Sequence, residues 1–109
     1  MNLDDLERFK KLDTLNMLGE IDNLPNQLQS AWDLGKTQPL PEKRNYQSII
    51  ICGLGGSAIG ADLVASYVAS SISIPVVVHR DYGLPAFAKG KDVLVICSSH
   101  SGNTEETLD

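Results

Sequence analysis

From residue 48 onward, the chain alternates short apolar runs with polar, glycine-bearing turns. Three runs, 48–52, 75–79 and 92–97, are rich in β-branched residues and have the length of buried strands. Between the first two, large apolar residues recur at helical spacing over 58–71. They are Ile59, Leu63, Val64, Tyr67 and Val68. Strand, helix, strand, connection and strand predict an α/β fold, a doubly wound parallel sheet in the flavodoxin-like strand order 2-1-3.

The residues before these strands have a helical pattern. Apolar side chains recur every third residue from Leu3, which predicts one amphipathic helix that ends near Gly19. A second helix is predicted from a cap at Asn23 to a stop at Gly35, with Trp32 on its apolar, packing face. We therefore expect amino-terminal helices that form an arm packed on a domain or on another subunit.

A polar, proline-bearing stretch separates this arm from the strands, so we predict a helical arm with its linker over 1–45 and a second domain over 46–109. In the predicted order the third strand, 92–97, is an edge made of Val, Leu and Ile, and an unprotected apolar edge invites pairing. More chain or a partner subunit should cover this edge. We expect a homodimer.

Composition narrows the functional classes. A hydrophobic fraction of 42% in 109 residues is that of one small soluble domain, and the amino terminus lacks the basic start and apolar core of a signal peptide, so we expect a cytoplasmic protein that does not enter a membrane. The net charge of −5 argues against a nucleic-acid or anionic-membrane surface. Cys52 and Cys97 lie in apolar runs, which predicts buried, reduced thiols. No metal-ligand spacing is present, and we expect neither a metal nor a cofactor.

The loop after the third strand, 98–104 (SSHSGNT), concentrates hydroxyl groups before a helix start. Free backbone N–H groups at such a turn and the hydroxyls of Ser99, Ser101 and Thr104 predict an anion site, and phosphate fits it best. Gly102 allows the tight turn. Asn103 with Glu106 resembles a capping box that would start the helix.

The glycine-rich loop after the first strand permits a different interpretation. It matches the dinucleotide fingerprint G-x-G-x-x-[G/A], and a Rossmann module would use Gly53, Gly55, Ala58 and, for the ribose, Asp81. The short glycine match is common and leaves the hydroxyl loop unexplained. A P-loop is excluded because no Gly-Lys-Ser or Gly-Lys-Thr follows Gly56.

Three motifs follow one another along the second part of the chain: GGSAIGADL at 55–63, RDYGLP at 80–85 and SHSGNTEET at 99–107. In this order they closely resemble the bifunctional phosphoglucose/phosphomannose isomerases, which belong to the sugar isomerase (SIS) domain superfamily. The resemblance covers most of residues 46–109 and implies a SIS-type sheet.

The resemblance implies where a sugar phosphate binds. It assigns the phosphate cradle to Ser99, Ser101 and Thr104, with Gly56 and Ser57 lining the same site. The implied substrates are fructose 6-phosphate, glucose 6-phosphate and mannose 6-phosphate, as in carbohydrate metabolism.

The resemblance also implies that the catalytic residues lie elsewhere. Members of this family are longer, and their catalytic glutamate, ring-opening histidine, lysine and arginine come after the point that corresponds to Asp109. We therefore expect no catalytic residue within this chain, non-catalytic roles for His79 and His100, and no isomerase activity from these 109 residues alone. A non-catalytic, sugar-phosphate-sensing SIS module remains open as an alternative.

Overall fold

The computed structural model describes residues 4–109, so Leu3 of the predicted apolar stripe lies outside the described residues. The chain divides into two compact units, an amino-terminal one that ends at Pro41 and a second one, Glu42–Asp109. The amino-terminal unit contains α1 (Leu6–Leu12), α2 (Met17–Asp22) and α3 (Leu24–Thr37). The second unit contains β1 (Ser48–Cys52), α4 (Gly55–Val68), β2 (Val76–His79), β3 (Val93–Cys97) and α5 (Glu105–Leu108). None of the described helices is long and apolar enough to cross a membrane.

The prediction of one amphipathic helix ending near Gly19 was wrong, because a turn interrupts the helix between α1 and α2. The Asp13 carboxylate accepts the backbone N–H groups of Met17 at 2.6 Å and Leu18 at 2.8 Å, and Asn16 adopts a left-handed conformation at φ 54°. A strict three-residue period falls short of the 3.6 residues of a helical turn, so the apolar side chains drift around a long helix. Two short helices with a turn between them result.

Helix α3 begins after Asn23 as predicted, but Gly35 does not stop it. The helix continues to Thr37, whose hydroxyl donates to the Leu34 carbonyl at 2.9 Å. Gly35 keeps helical backbone angles, and a glycine ends a helix mainly where the backbone turns left-handed. Trp32 is 63% exposed, so the structure does not show the packing role predicted for its side chain.

The second unit is built on a three-stranded parallel sheet in the order β2-β1-β3, which confirms the predicted fold class and strand order. The central strand pairs on both sides, with Ile50 opposite Val77 of β2 and Val95 of β3. Ile50 is fully buried, and its neighbours Ile51 and Cys52 are buried beside it. Because β1 lies between two strands, the residues that follow it emerge at the middle of the sheet edge.

Helix α4 packs on β1 and β2, and its buried positions are small residues. Its buried residues are Ala58 and Ala61, and the Asp62 carboxylate pairs with the Arg80 guanidinium just after β2. The large apolar side chains face outward, each at least half exposed. They are Ile59, Leu63, Val64 and Tyr67. Small side chains let the helix backbone approach the sheet closely. The face of α4 that carries Ala58 and Ala61 therefore packs against the sheet, and the face with the large apolar side chains does not.

The two cysteines have different environments, although they are register partners at the ends of β1 and β3. Cys52 is buried, and burial raises the pKa of its thiol, with a further increase from the Cys97 thiol beside it. Cys97 is exposed, which contradicts the prediction of two buried thiols. The reason is that β3 is an edge strand of the described sheet. Both thiols are free.

Candidate phosphate-binding site

The loops after β1 and β3 lie side by side because the two strands are parallel neighbours. The Ser98 N–H donates to the Cys52 carbonyl at 2.8 Å, and the Gly53 N–H donates to the His79 carbonyl at 3.1 Å. A Cβ at position 53 would lie 2.9 Å from the Ser98 carbonyl oxygen, so only glycine fits this close approach. The carboxyl end of a parallel sheet is where ligands of such folds bind.

Three hydroxyl groups form a cluster in the loop after β3. The Thr104 hydroxyl lies 3.0 Å from that of Ser99 and 3.3 Å from that of Ser101. Gly102 and Asn103 donate their backbone N–H groups to Ser99 and Ser101, at 3.1 and 3.3 Å. Gly102 has a φ of 71°, which confirms the predicted tight turn. The loop therefore holds three rotatable donors within one hydrogen-bond length of each other.

An open cavity of about 640 Å³ lies between the two loops and brings together four of the five predicted site residues. Its lining consists of Leu54, Gly56, Ser57, His100, Ser101 and Thr104. The fifth, Ser99, does not line the cavity but hydrogen-bonds to Thr104, which does. No residue of this lining carries a carboxylate, so nothing in it repels an anion.

The start of α4 adds backbone donors to one side of this cavity. The first hydrogen bonds of the helix run from the N–H groups of Ser57 and Ala58 to the Leu54 carbonyl. The N–H groups of Gly55 and Gly56 precede them and have no helical acceptor. Because α4 is 14 residues long, its dipole also favours an anion at this end.

The predicted capping box at the start of α5 was wrong. The cap position is Thr104 rather than Asn103, and its side chain makes no capping bond because its hydroxyl belongs to the cluster with Ser99 and Ser101. Helix α5 has only four residues, so its dipole is small. The hydroxyls and the start of α4, rather than α5, are therefore the donor groups that this cavity offers.

The acidic residues of α5 lie outside the cavity lining. The pKa of the Tyr82 phenol is raised by desolvation, by the Glu106 charge and by a hydrogen bond to Glu105. Neither glutamate lines the cavity. The Asp109 carboxylate accepts the Gly83 N–H at 2.9 Å, which fixes the loop after β2 against α5. These carboxylates therefore lie against the Tyr82 loop and outside the cavity lining.

Residues of the dinucleotide interpretation have local roles in the structure. The Asp81 carboxylate accepts the N–H of Tyr82 at 2.8 Å within its own turn and does not line the cavity. Ala58 is a fully buried residue of α4, and Gly53 is required by the close approach of the Ser98 carbonyl.

The two histidines occupy different positions at this end of the sheet. His100 lines the cavity, and its place between Ser99 and Ser101 in the sequence is the signal that could have identified it. His79 ends β2 outside the lining, and its buried Nε2 has no hydrogen-bond partner among the described residues. Within residues 4–109, no three histidine, cysteine or acidic side chains are arranged to hold a metal ion.

Comparison with curated proteins finds several relatives that share one name, bifunctional phosphoglucose/phosphomannose isomerase. The relative from Caldicellulosiruptor bescii is 48% identical over 93 residues, which is 84% of this chain and 27% of that protein. The Aquifex aeolicus relative is 45% identical over 64 residues, 58% of this chain and 20% of that protein. The Thermoplasma acidophilum relative is 40% identical over 63 residues, 58% of this chain and 19% of that protein.

No protein-family profile matches the chain, and no solved structure matches it significantly. The chain spans between 19% and 27% of the length of these three relatives. The expected resemblance is confirmed over this part: the chain is a homologue of the amino-terminal part of the bifunctional phosphoglucose/phosphomannose isomerases.

Proposed function

We propose that this chain provides the sugar-phosphate-binding SIS portion of a cytoplasmic aldose–ketose isomerase that interconverts glucose 6-phosphate or mannose 6-phosphate with fructose 6-phosphate. The observation that carries the proposal is the cavity between the loops after β1 and β3. It combines the Ser101 and Thr104 hydroxyls with the start of α4 and contains no carboxylate. The shared name of the relatives supports the choice of substrates.

The cavity suits a phosphate group because its donors are neutral and close together. In the free protein the hydroxyls of Ser99, Ser101 and Thr104 hydrogen-bond to one another, over 3.0 to 3.5 Å. Each can rotate toward a phosphate oxygen, and a hydrogen bond to a charged group contributes about 1.5–3 kcal/mol, against about 0.5–1.5 kcal/mol for a neutral pair. Replacing hydrogen bonds between hydroxyls with hydrogen bonds to phosphate oxygens therefore favours binding of the anion.

Anchoring by itself does not isomerise a sugar. Moving a proton between C1 and C2 needs a base within hydrogen-bond reach, and such a base contributes typically 10²–10⁴-fold to the rate. No carboxylate lines the cavity, and the two glutamates of α5, Glu105 and Glu106, interact with Tyr82. In this proposal the chain positions the substrate, and groups outside these 109 residues carry out the proton transfer.

A chimera tests the proposal. The 93 aligned residues of this chain replace the matching segment of the Caldicellulosiruptor bescii relative, and conversion of fructose 6-phosphate to glucose 6-phosphate is followed in a coupled assay. We expect turnover by the chimera and none by the 109-residue chain alone. A chimera with native-like circular dichroism but no turnover would contradict the proposal, and comparable turnover by the short chain would show that the base lies within it.

Direct binding separates the alternatives. The 109-residue chain is titrated with glucose 6-phosphate and with NAD, and we expect saturable binding of the sugar phosphate only. Saturable binding of NAD that is lost in Asp81→Asn would favour the dinucleotide module instead. Sugar-phosphate binding together with an inactive, folded chimera would favour a non-catalytic, sugar-phosphate-sensing module.

A further inference from the structure

The two cysteines of the chain lie side by side at the carboxyl end of the sheet. Cys52 is the last residue of β1 and Cys97 is the last residue of β3, and the two are register partners in neighbouring parallel strands. We propose that this pair is a dithiol redox site, at which a low-molecular-weight disulfide oxidises both thiols to an intramolecular Cys52–Cys97 disulfide. The inference does not depend on phosphate binding, so the two proposals can fail separately.

The register of the sheet places the two thiols within reach of each other. Neighbouring strands lie about 4.8 Å apart, and the Cα atoms of disulfide-bonded cysteines are about 4.4–6.8 Å apart. Register partners project from the same face of a sheet, and the thiols of Cys52 and Cys97 interact through a side-chain hydrogen bond. The Ser98 N–H donates to the Cys52 carbonyl at 2.8 Å, which holds the strand ends in this register. A bond between the two sulfur atoms is therefore compatible with the observed pairing of the strands.

The two thiols differ in their access to solvent, and this difference sets the order in which they react. Cys97 is exposed, whereas Cys52 is only 5% exposed. Burial also raises the pKa of the Cys52 thiol, so little of it is the reactive thiolate at neutral pH. An oxidant in solution therefore reacts first with Cys97. Cys52 reacts second, with a sulfur atom that already lies beside it.

Both steps are thiol–disulfide exchanges, and glutathione disulfide is a suitable oxidant. The Cys97 thiolate attacks one sulfur atom of glutathione disulfide, the S–S bond of the oxidant breaks, and one glutathione thiolate leaves. The product is a mixed disulfide on Cys97. Cys52 then loses its proton to solvent, its thiolate attacks the Cys97 sulfur, and the second glutathione thiolate leaves. In total the protein gives up two electrons and two protons, and the oxidant becomes two molecules of glutathione.

The expected signature is a short-lived mixed disulfide. Cys52 attacks within one molecule, and two linked groups have an effective concentration of about a millimolar or more, which exceeds a micromolar concentration of protein. We therefore expect the glutathione adduct on Cys97 to disappear at least about tenfold faster in the wild type than in Cys52→Ala, which has no neighbouring thiol to displace it.

The test incubates the reduced 109-residue chain, at micromolar concentration and neutral pH, with glutathione disulfide and follows the intact mass. The wild type should end as a monomer that has lost the mass of two hydrogen atoms, with Cys52 and Cys97 joined in its peptide map. Cys52→Ala should stop at the glutathione adduct. The matched variant Cys97→Ser should react at least about tenfold more slowly than Cys52→Ala, because its remaining thiol is buried. Circular dichroism shows whether each variant keeps the fold.

Three results would overturn the proposal. The first is a disulfide-linked dimer as the main wild-type product, because the Cys97 thiols would then pair between chains. The second is a wild-type adduct that lasts as long as the adduct of Cys52→Ala, because Cys52 would then not reach Cys97. The third is a wild-type chain that keeps both thiols free. If either variant fails to fold, the wild-type peptide map decides alone, since it either contains the internal disulfide or lacks it.

Discussion

Removing one hydroxyl from the cluster should weaken sugar-phosphate binding without unfolding the protein. Ser101→Ala and Thr104→Val each delete one donor that faces the cavity. The Thr104 hydroxyl caps no backbone group of α5, so its loss should leave the helix intact. Ser99 is a poorer target because it does not line the cavity and its hydroxyl accepts the Gly102 N–H at 3.1 Å. The Ser101 hydroxyl also accepts a backbone N–H, that of Asn103 at 3.3 Å, so Thr104→Val is the cleaner of the two variants.

The magnitude follows from the hydrogen bonds that are exchanged. A lost bond to a charged group costs about 1.5–3 kcal/mol, which is roughly tenfold to a hundredfold in Kd. Ser101 is exposed, so we expect about tenfold for its variant, and more for Thr104, which is half-buried. Because the two hydroxyls lie 3.3 Å apart, the double variant should lose less than the sum of the single losses.

Isothermal titration with glucose 6-phosphate measures these losses, and the chain contains matched controls. Thr37→Val and Ser71→Ala delete hydroxyls that donate to the carbonyl three residues earlier, at 2.9 and 3.1 Å, on exposed helix ends. Both lie outside the cavity lining, and Ser71 follows the far end of α4, about 21 Å along a 14-residue helix. We expect unchanged affinity in both controls. Wild-type affinity in Ser101→Ala and in Thr104→Val, with the fold intact by circular dichroism, would refute this site.

Three further predictions concern stability and assembly. Ile50 is fully buried in the central strand, so Ile50→Ala should lower the free energy of unfolding by about 2–5 kcal/mol and Ile50→Val by about 0.5–1.5 kcal/mol. Urea titrations measure both losses, and equal losses would contradict this packing. Ile96 is exposed on the edge strand β3, so we expect the wild-type chain to self-associate and Ile96→Lys to weaken this self-association. Sedimentation velocity measures both, and a monodisperse wild-type monomer would count against the prediction. The Asp62–Arg80 pair is nearly half exposed on both sides, so Asp62→Asn should change stability by less than about 1 kcal/mol, and a larger loss on thermal unfolding would indicate a role beyond a surface ion pair.

The sequence by itself determined the strands, their order and the loops that form the site. Runs such as Ser48–Cys52 are continuous, apolar and β-branched, and such local patterns depend on residues close together in the chain. Polar loops directly after β1 and β3 then had to meet, because parallel neighbouring strands end at the same edge. Four of the five predicted site residues therefore line one cavity.

Tertiary structure alone decided which side chains face inward and which groups are already bonded. The helical spacing of Leu63 and Tyr67 did not indicate which face of α4 meets the sheet, and in the structure Ala58 and Ala61 are the buried residues of this helix. The hydrogen bond between the Thr104 and Ser99 hydroxyls depends on the conformation of the loop, which brings the two groups to 3.0 Å. His100 became a cavity residue because α4 begins opposite it, across more than forty residues of sequence. Such outcomes depend on contacts between residues far apart in the chain, to which local patterns are insensitive.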